Sequence, residues 1–258
     1  MSVTLPYGYL AAGAPIGEVS MAPAQVVAGY PVGVIYIEDV WYPMVPGNVV
    51  NASTWDFPVL LKPVRGLDIP ALFGPDRVDV SDIVLEACRE LEEAGVRAIS
   101  SACGFFGRYH QQIAAKMQVP VALSSLVQIP WISSLMPGRR IAVLTADSSS
   151  LAPELLASCG VTDTSRLVIG GLQDAPQFSA ILEGRGSFDN EGVRDEVVAL
   201  ARELCADPAV GAVLLECSDL PPYAAAIQAA VSLPVFDFTT LVRWLRNAVT
   251  QRPYAGWV

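Results

Sequence analysis

Positive charge is scarce in this sequence. No lysine, arginine or histidine occurs before Lys62, and 16 Lys and Arg stand against 26 Asp and Glu, a net charge of −10 over 258 residues. Nucleic-acid binding needs clustered basic side chains to displace phosphate counterions, so it is excluded. An N-terminus without a positive charge also lacks the start of a secretory signal. Although hydrophobic residues make up 52% and charged residues only 16%, no uncharged apolar run approaches the ~18 residues of a membrane span. The five cysteines include no CxxC or CxxH spacing, which argues against both a disulfide framework and a metal site. The expectation is a cytoplasmic chain with reduced thiols, no membrane partner and much buried surface.

What the sequence does contain is alternation. From Val32 onward, short β-branched runs (VGVIYI, FPVLLK, RAIS, PVAL, then IAVLT, LVIGG, GAVLL, PVFDF) alternate with helix-like stretches near 79–94, 107–118, 149–159, 190–206, 221–231 and 239–250. That pattern predicts parallel sheets flanked by helices. Strand runs without polar alternation agree, because parallel strands are covered on both faces. Residues 1–31, rich in Gly, Ala and Pro, are expected to be an N-terminal extension. The breaker cluster Met136-Pro137-Gly138 is expected to divide a first α/β lobe, 32–137 plus 237–258, from a second, 138–236.

The two halves also repeat. Pro120 lies 17 positions after Cys103, and Pro234 lies 17 positions after Cys217; each proline heads an apolar run. SDIVLEACRELEEAG precedes the first cysteine much as RDEVVALARELCADPAVG precedes the second. Core packing gives no reason for the same residue at the same step of both halves, so a pair of reactive thiols is predicted. Each would lie beyond the carboxyl end of a strand, where ligands bind in such sheets. A thiol there meets unpaired backbone N–H groups and the positive end of a helix dipole, which are expected to lower its pKa. Gly104 and Ser218, the following residues, would let donors reach a bound carboxylate. Cys88, Cys159 and Cys205 read as ordinary packing.

Cys103-Gly104, VPVALSSLVQIP, IAVLTADSSSL and LLECSDLPPYAAAIQ running into LPVFDF together resemble the cofactor-independent aspartate, glutamate and hydantoin racemase superfamily, over about residues 32–245. The resemblance implies two pseudo-symmetric α/β lobes, each a mainly parallel sheet, with the active site in the cleft between them. It implies catalytic Cys103 and Cys217, one removing and one delivering a proton at a carbon beside a carboxyl or carbonyl, with no cofactor and no metal. It further implies substrate-holding hydroxyls at Thr145 and Ser148, with Ser124 and Ser125 as counterparts, and Asp219 as a proton-relay partner. The expected activity is therefore a racemase or epimerase of a small anionic or carbonyl-containing substrate, acting as a homo-oligomer. Within the superfamily, a cis–trans isomerase of a small diacid or a decarboxylase of malonate-like acids stays open; outside it, a non-catalytic small-acid-binding protein does. The chain departs from the glutamate racemase motifs, carrying Gly104-Phe105-Phe106 and Ser218-Asp219-Leu220 after its cysteines.

Other residues read more weakly. Phe105, Phe106, Tyr109 and Trp131 would line a larger apolar pocket or simply pack in the core. His110, the sole histidine, should project about two helical turns from Cys103. Glu38 and Asp39 close the first strand and face either an ammonium group or solvent. Gly170-Gly171 occurs without GxGxxG or GK[ST] and gives little support for a nucleotide site.

Overall fold

The computed structural model describes residues 21, 25–72, 77–252 and 254–258, so most of the expected N-terminal extension lies outside the described residues. Among the described residues, eight strands form two four-stranded parallel sheets. The first holds β1 (Val32–Asp39), β2 (Val59–Asp68), β3 (Ala98–Ser101) and β4 (Val121–Ala122) in the order β2-β1-β3-β4. The second holds β5 (Arg140–Thr145), β6 (Leu167–Gly171), β7 (Val210–Leu215) and β8 (Val235–Phe236) in the order β6-β5-β7-β8. The two sheets thus share one topology, and each expected apolar run supplies one strand. Val210–Leu215 is buried along its whole length, as a strand covered on both faces must be.

The helices follow from apolar spacing and capping. Ser81–Glu93 buries Val84, Leu85, Ala87, Cys88 and Leu91, one stripe of the helix, and ends before Gly95, whose φ of 88° suits a residue without a β-carbon. Asn190–Leu204 buries Val193, Val197 and Ala201, four residues apart, and the Asp189 side chain accepts from Glu191 N at its start. Phe238–Val249 begins with a reciprocal box: Thr240 N donates to Asp237 Oδ1 at 2.7 Å, and Asp237 N donates to Thr240 Oγ1 at 2.8 Å. Its Phe238, Leu241, Val242 and Leu245 pack with Val32, Val34 and Ala98, against the first sheet.

Two helical stretches differ from expectation. The stretch expected at 107–118 starts at Gly104 as a 3-10 helix to Tyr109, followed by only a short α-helix, His110–Ala114. The stretch expected at 149–159 is broken at Ala152, which is extended (ψ 153°) because the ring of Pro153 disfavours the helical conformation of the residue before it. Ile129–Leu135 was not foreseen: Pro130 reads as a breaker, yet it sits in the first turn, where no N–H is required. Ile35, Leu91, Ile99 and Phe106 share one apolar cluster with Ile141, Val143, Leu155 and Leu214, so the core runs through both sheets. Among the described residues no helix is long and apolar enough to cross a membrane.

Candidate active site

The equal topology puts the two cysteines on equivalent steps. Cys103 lies two residues past the end of β3 and Cys217 two residues past the end of β7, each an inner strand of its sheet. A 3-10 helix follows both, Gly104–Tyr109 after the first and Pro221–Tyr223 after the second. Both cysteines line one narrow cavity of about 40 Å³, together with Tyr42, Phe105, Ser218 and Asp219. The rest of its wall is aliphatic. No lysine, arginine or histidine lines it among the described residues.

The surroundings of the two sulfurs are unlike. Cys217 Sγ donates to Asp219 Oδ2 at 3.5 Å. The same carboxylate oxygen accepts from Tyr42 Oη at 3.2 Å, and Oδ1 accepts from Asn48 Nδ2. These donors favour the charged form of Asp219, but burial prevails and lifts its pKa to about 6. Near Cys103 no such acceptor exists on its own turn, where Gly104 and Phe105 stand in the places of Ser218 and Asp219.

The lowering of thiol pKa expected from the helix starts is outweighed. Backbone N–H groups of Phe105 and Phe106 do favour a thiolate at Cys103, yet burial and the nearby Glu216 carboxyl push this thiol well above its ordinary value. Burial, Asp219 and Glu216 do the same to Cys217, against one favourable backbone hydrogen bond. Both sulfurs are thereby biased toward the protonated thiol. Tyr42 is pushed upward by burial and by Asp219, which keeps its hydroxyl a donor.

Of the expected substrate-holding residues, Ser218 and Asp219 reach the cavity; Gly104, Ser124, Ser125, Thr145 and Ser148 do not line it. Ser124 caps the Ser125–Gln128 turn by accepting from Leu126 N. Ser125 Oγ donates to Leu215 O at 2.9 Å and so ties the first half of the chain to β7. Thr145 Oγ1 donates to Glu216 Oε2 at 2.7 Å. Ser148 N donates to Gln173 Oε1. Ser218 Oγ donates to Ala102 O at 2.8 Å, holding the two cysteine turns together.

The weaker candidates fall outside the cavity, except Phe105. Phe106 and Tyr109 are core residues, and Trp131 packs edge-on to Phe236 in a separate groove. His110 does not line the cavity; burial lowers its pKa. Glu38 accepts from Gly66 N, and Asp39 is exposed. Gly170 lets Leu200 and Leu204 pack on β6, a packing role and not a phosphate cradle. Tyr42, Asn48 and Glu216 were not foreseen. Glu216 had a signal, a carboxyl closing the otherwise apolar run VGAVLL; Tyr42 and Asn48, on the long β1–β2 connection, had none.

Residues 58–245 match the family described as Asp/Glu/Hydantoin racemase. Dimethylsulfoniopropionate lyase 7 of Emiliania huxleyi is 33% identical over 242 residues, 89% of this chain and 70% of the relative. Dimethylsulfoniopropionate lyase 6 of the same organism is 36% identical over 245 residues, 89% of this chain and 63% of that relative. The chain thus spans about two thirds of the length of these relatives. A solved arylmalonate decarboxylase variant in its sulfate-associated form superposes with a TM-score of 0.56 at 18% identity, covering 84% of this chain and 92% of that one, a likeness of fold. These findings correct the expected activity: relatives at this identity are lyases, so the racemase or epimerase reading, and with it the isomerase class, is withdrawn.

Proposed function

This chain belongs to the Asp/Glu/hydantoin racemase family, and on that premise we propose that it is a lyase of dimethylsulfoniopropionate or a closely similar carboxylate bearing a cationic leaving group on its β-carbon. Such a molecule has an acidic hydrogen beside its carboxylate. Removing that proton lets the electron pair of the α-carbon–hydrogen bond form the α,β double bond, while the bond from the β-carbon to sulfur breaks. The products are acrylate, neutral dimethyl sulfide and one proton held by the enzyme.

The observation that carries this reading is the difference between the two thiols. Inversion at a carbon calls for two comparable acid–base groups on opposite faces, whereas elimination calls for one base. Cys217 has a carboxylate acceptor in hydrogen-bond contact, and Cys103 has none on its turn. We assign Cys217 as the base, passing its own proton to Asp219 as it takes the substrate's, and Cys103 as a neutral thiol facing the same cavity.

The charge of the cavity supports the same reading. Burial and the neighbouring carboxylates raise both thiols, so the protein by itself disfavours a thiolate. A sulfonium group entering beside Asp219 offsets that negative field and lowers the Cys217 pKa at the moment substrate is present. Tyr42 and Phe105, aromatic residues in the cavity wall, would offer it cation–π contact.

The test is direct. The purified chain is incubated with dimethylsulfoniopropionate, with dimethyl sulfide measured in the headspace and acrylate by proton NMR. Equal release of both products, lost in Cys217→Ser, is expected. A folded chain that yields neither would overturn the reading.

A further inference from the structure

Glu216 is fully buried at the end of β7, and nothing in the chemistry above uses it. Its Oε2 accepts from Thr145 Oγ1 at 2.7 Å, while its Oε1 has no hydrogen-bond partner. Against that oxygen lies Gly104; a β-carbon there would collide with the Glu216 carboxyl, so the absence of a side chain at 104 makes room for this acid from the other sheet.

Thr145 Oγ1 is the group in hydrogen-bond contact with Glu216, and the thiols of Cys103, Cys159 and Cys217 and the carboxylate of Asp147 interact with it electrostatically. No cation is among them. A permanently ionised carboxylate in such a place needs donors on both oxygens, and this one has a single donor. Burial, reinforced by Asp147 and opposed by Thr145, moves its pKa to about 7, so its charge changes near neutrality. For Cys103 this charge is the largest electrostatic influence after burial; for Cys217 it ranks behind Asp219.

We infer that Glu216 is a protonation switch for Cys103: ionised, it adds to the barrier against losing that sulfur's proton, and neutral, it removes its share of that barrier, with burial still opposing the thiolate. Glu216 is thus a positioning residue acting through Cys103, and its relevance to turnover rests on the proposed reading of Cys217 as the base and Cys103 as a neutral thiol of the same cavity. Above neutrality it would keep the two thiols distinct, Cys103 as a hydrogen donor and Cys217 as the base.

The experiment follows alkylation of Cys103 by iodoacetamide in the whole protein, quantified on its peptide by mass spectrometry, from about pH 5.5 to about pH 9. In the wild type the logarithm of the rate should rise with pH, flatten as Glu216 charges, and then rise again. Glu216→Gln should lose the flattening near pH 7, keep only the weaker one that Asp219 imposes near pH 6, and run roughly tenfold faster than wild type above about pH 8. Thr145→Val, which removes the donor to the ionised carboxylate, should move the flattening to higher pH. A purely structural role for Glu216 would change the rate without changing the shape of the curve.

Superposable curves for wild type and folded Glu216→Gln would overturn the switch, as would a flattening unmoved by Thr145→Val. If Glu216→Gln fails to fold, the Thr145→Val curve decides alone. Labelling needs no substrate: a chain inactive on dimethylsulfoniopropionate leaves the switch standing, and an active chain with unchanged curves removes only the switch.

Discussion

The thiol of Cys217 hydrogen-bonds to the carboxylate of Asp219 at 3.5 Å, two residues on, whereas two residues beyond Cys103 stands Phe105, which accepts no proton. A repeated architecture thus holds an unrepeated thiol–carboxylate hydrogen bond. The Asp219 carboxylate is in turn held by Tyr42 and Asn48 from the β1–β2 connection.

Asp219→Asn keeps the shape of the side chain and removes the proton acceptor. It should lower kcat for dimethyl sulfide release by roughly 10²-fold, the lower end of what a positioned acid–base group contributes. Steady-state kinetics with circular dichroism as a folding control would check this. Activity close to wild type would show that Cys217 loses its proton by another route.

Activity should fall as pH drops through about 6, where Asp219 takes up a proton and ceases to accept one from Cys217. Tyr42→Phe removes a donor that favours the charged carboxylate, so the acid limb of kcat/KM should move to higher pH. A limb that stays in place, or moves downward, would contradict the assignment.

Stability should carry the mark of Glu216. Its pKa rises from an ordinary 4.5 unfolded to about 7 folded, so the folded state holds the extra proton between those values. The stabilisation from that proton is fully present below pH 4.5 and is lost as pH rises through about 7, a change of about 3 kcal/mol. Urea melts of wild type and Glu216→Gln should therefore show the wild type losing stability relative to the variant between about pH 4.5 and about pH 7, with little further change above.

Gly104→Ala should destabilise by about 1–3 kcal/mol, because its β-carbon would overlap the Glu216 carboxyl and backbone oxygen. Combining it with Glu216→Ala should recover part of that loss, since the side-chain clash disappears while the backbone contact remains. Strict additivity in the double-mutant cycle would mean that the two residues do not meet.

Much of the fold was legible before the structure. All eight strands were marked by apolar runs without polar alternation, and the equal cysteine-to-proline spacing marked the repeat, because strand burial and chain connectivity leave local traces. That Ser218 and Asp219 lie at the cavity followed from their places one and two residues after Cys217. Motifs could not separate elimination from inversion, because both reactions begin by removing a proton beside a carboxylate; the lyase relatives made that correction. Tertiary structure alone decided the rest. Tyr42 and Asn48 reach Asp219 across more than 170 residues of chain, and Glu216 of one sheet meets Gly104 beside the other. The thiol pKa values were also decided there: helix starts act locally and favour the thiolate, but desolvation and neighbouring carboxylates depend on what the whole chain folds around each sulfur.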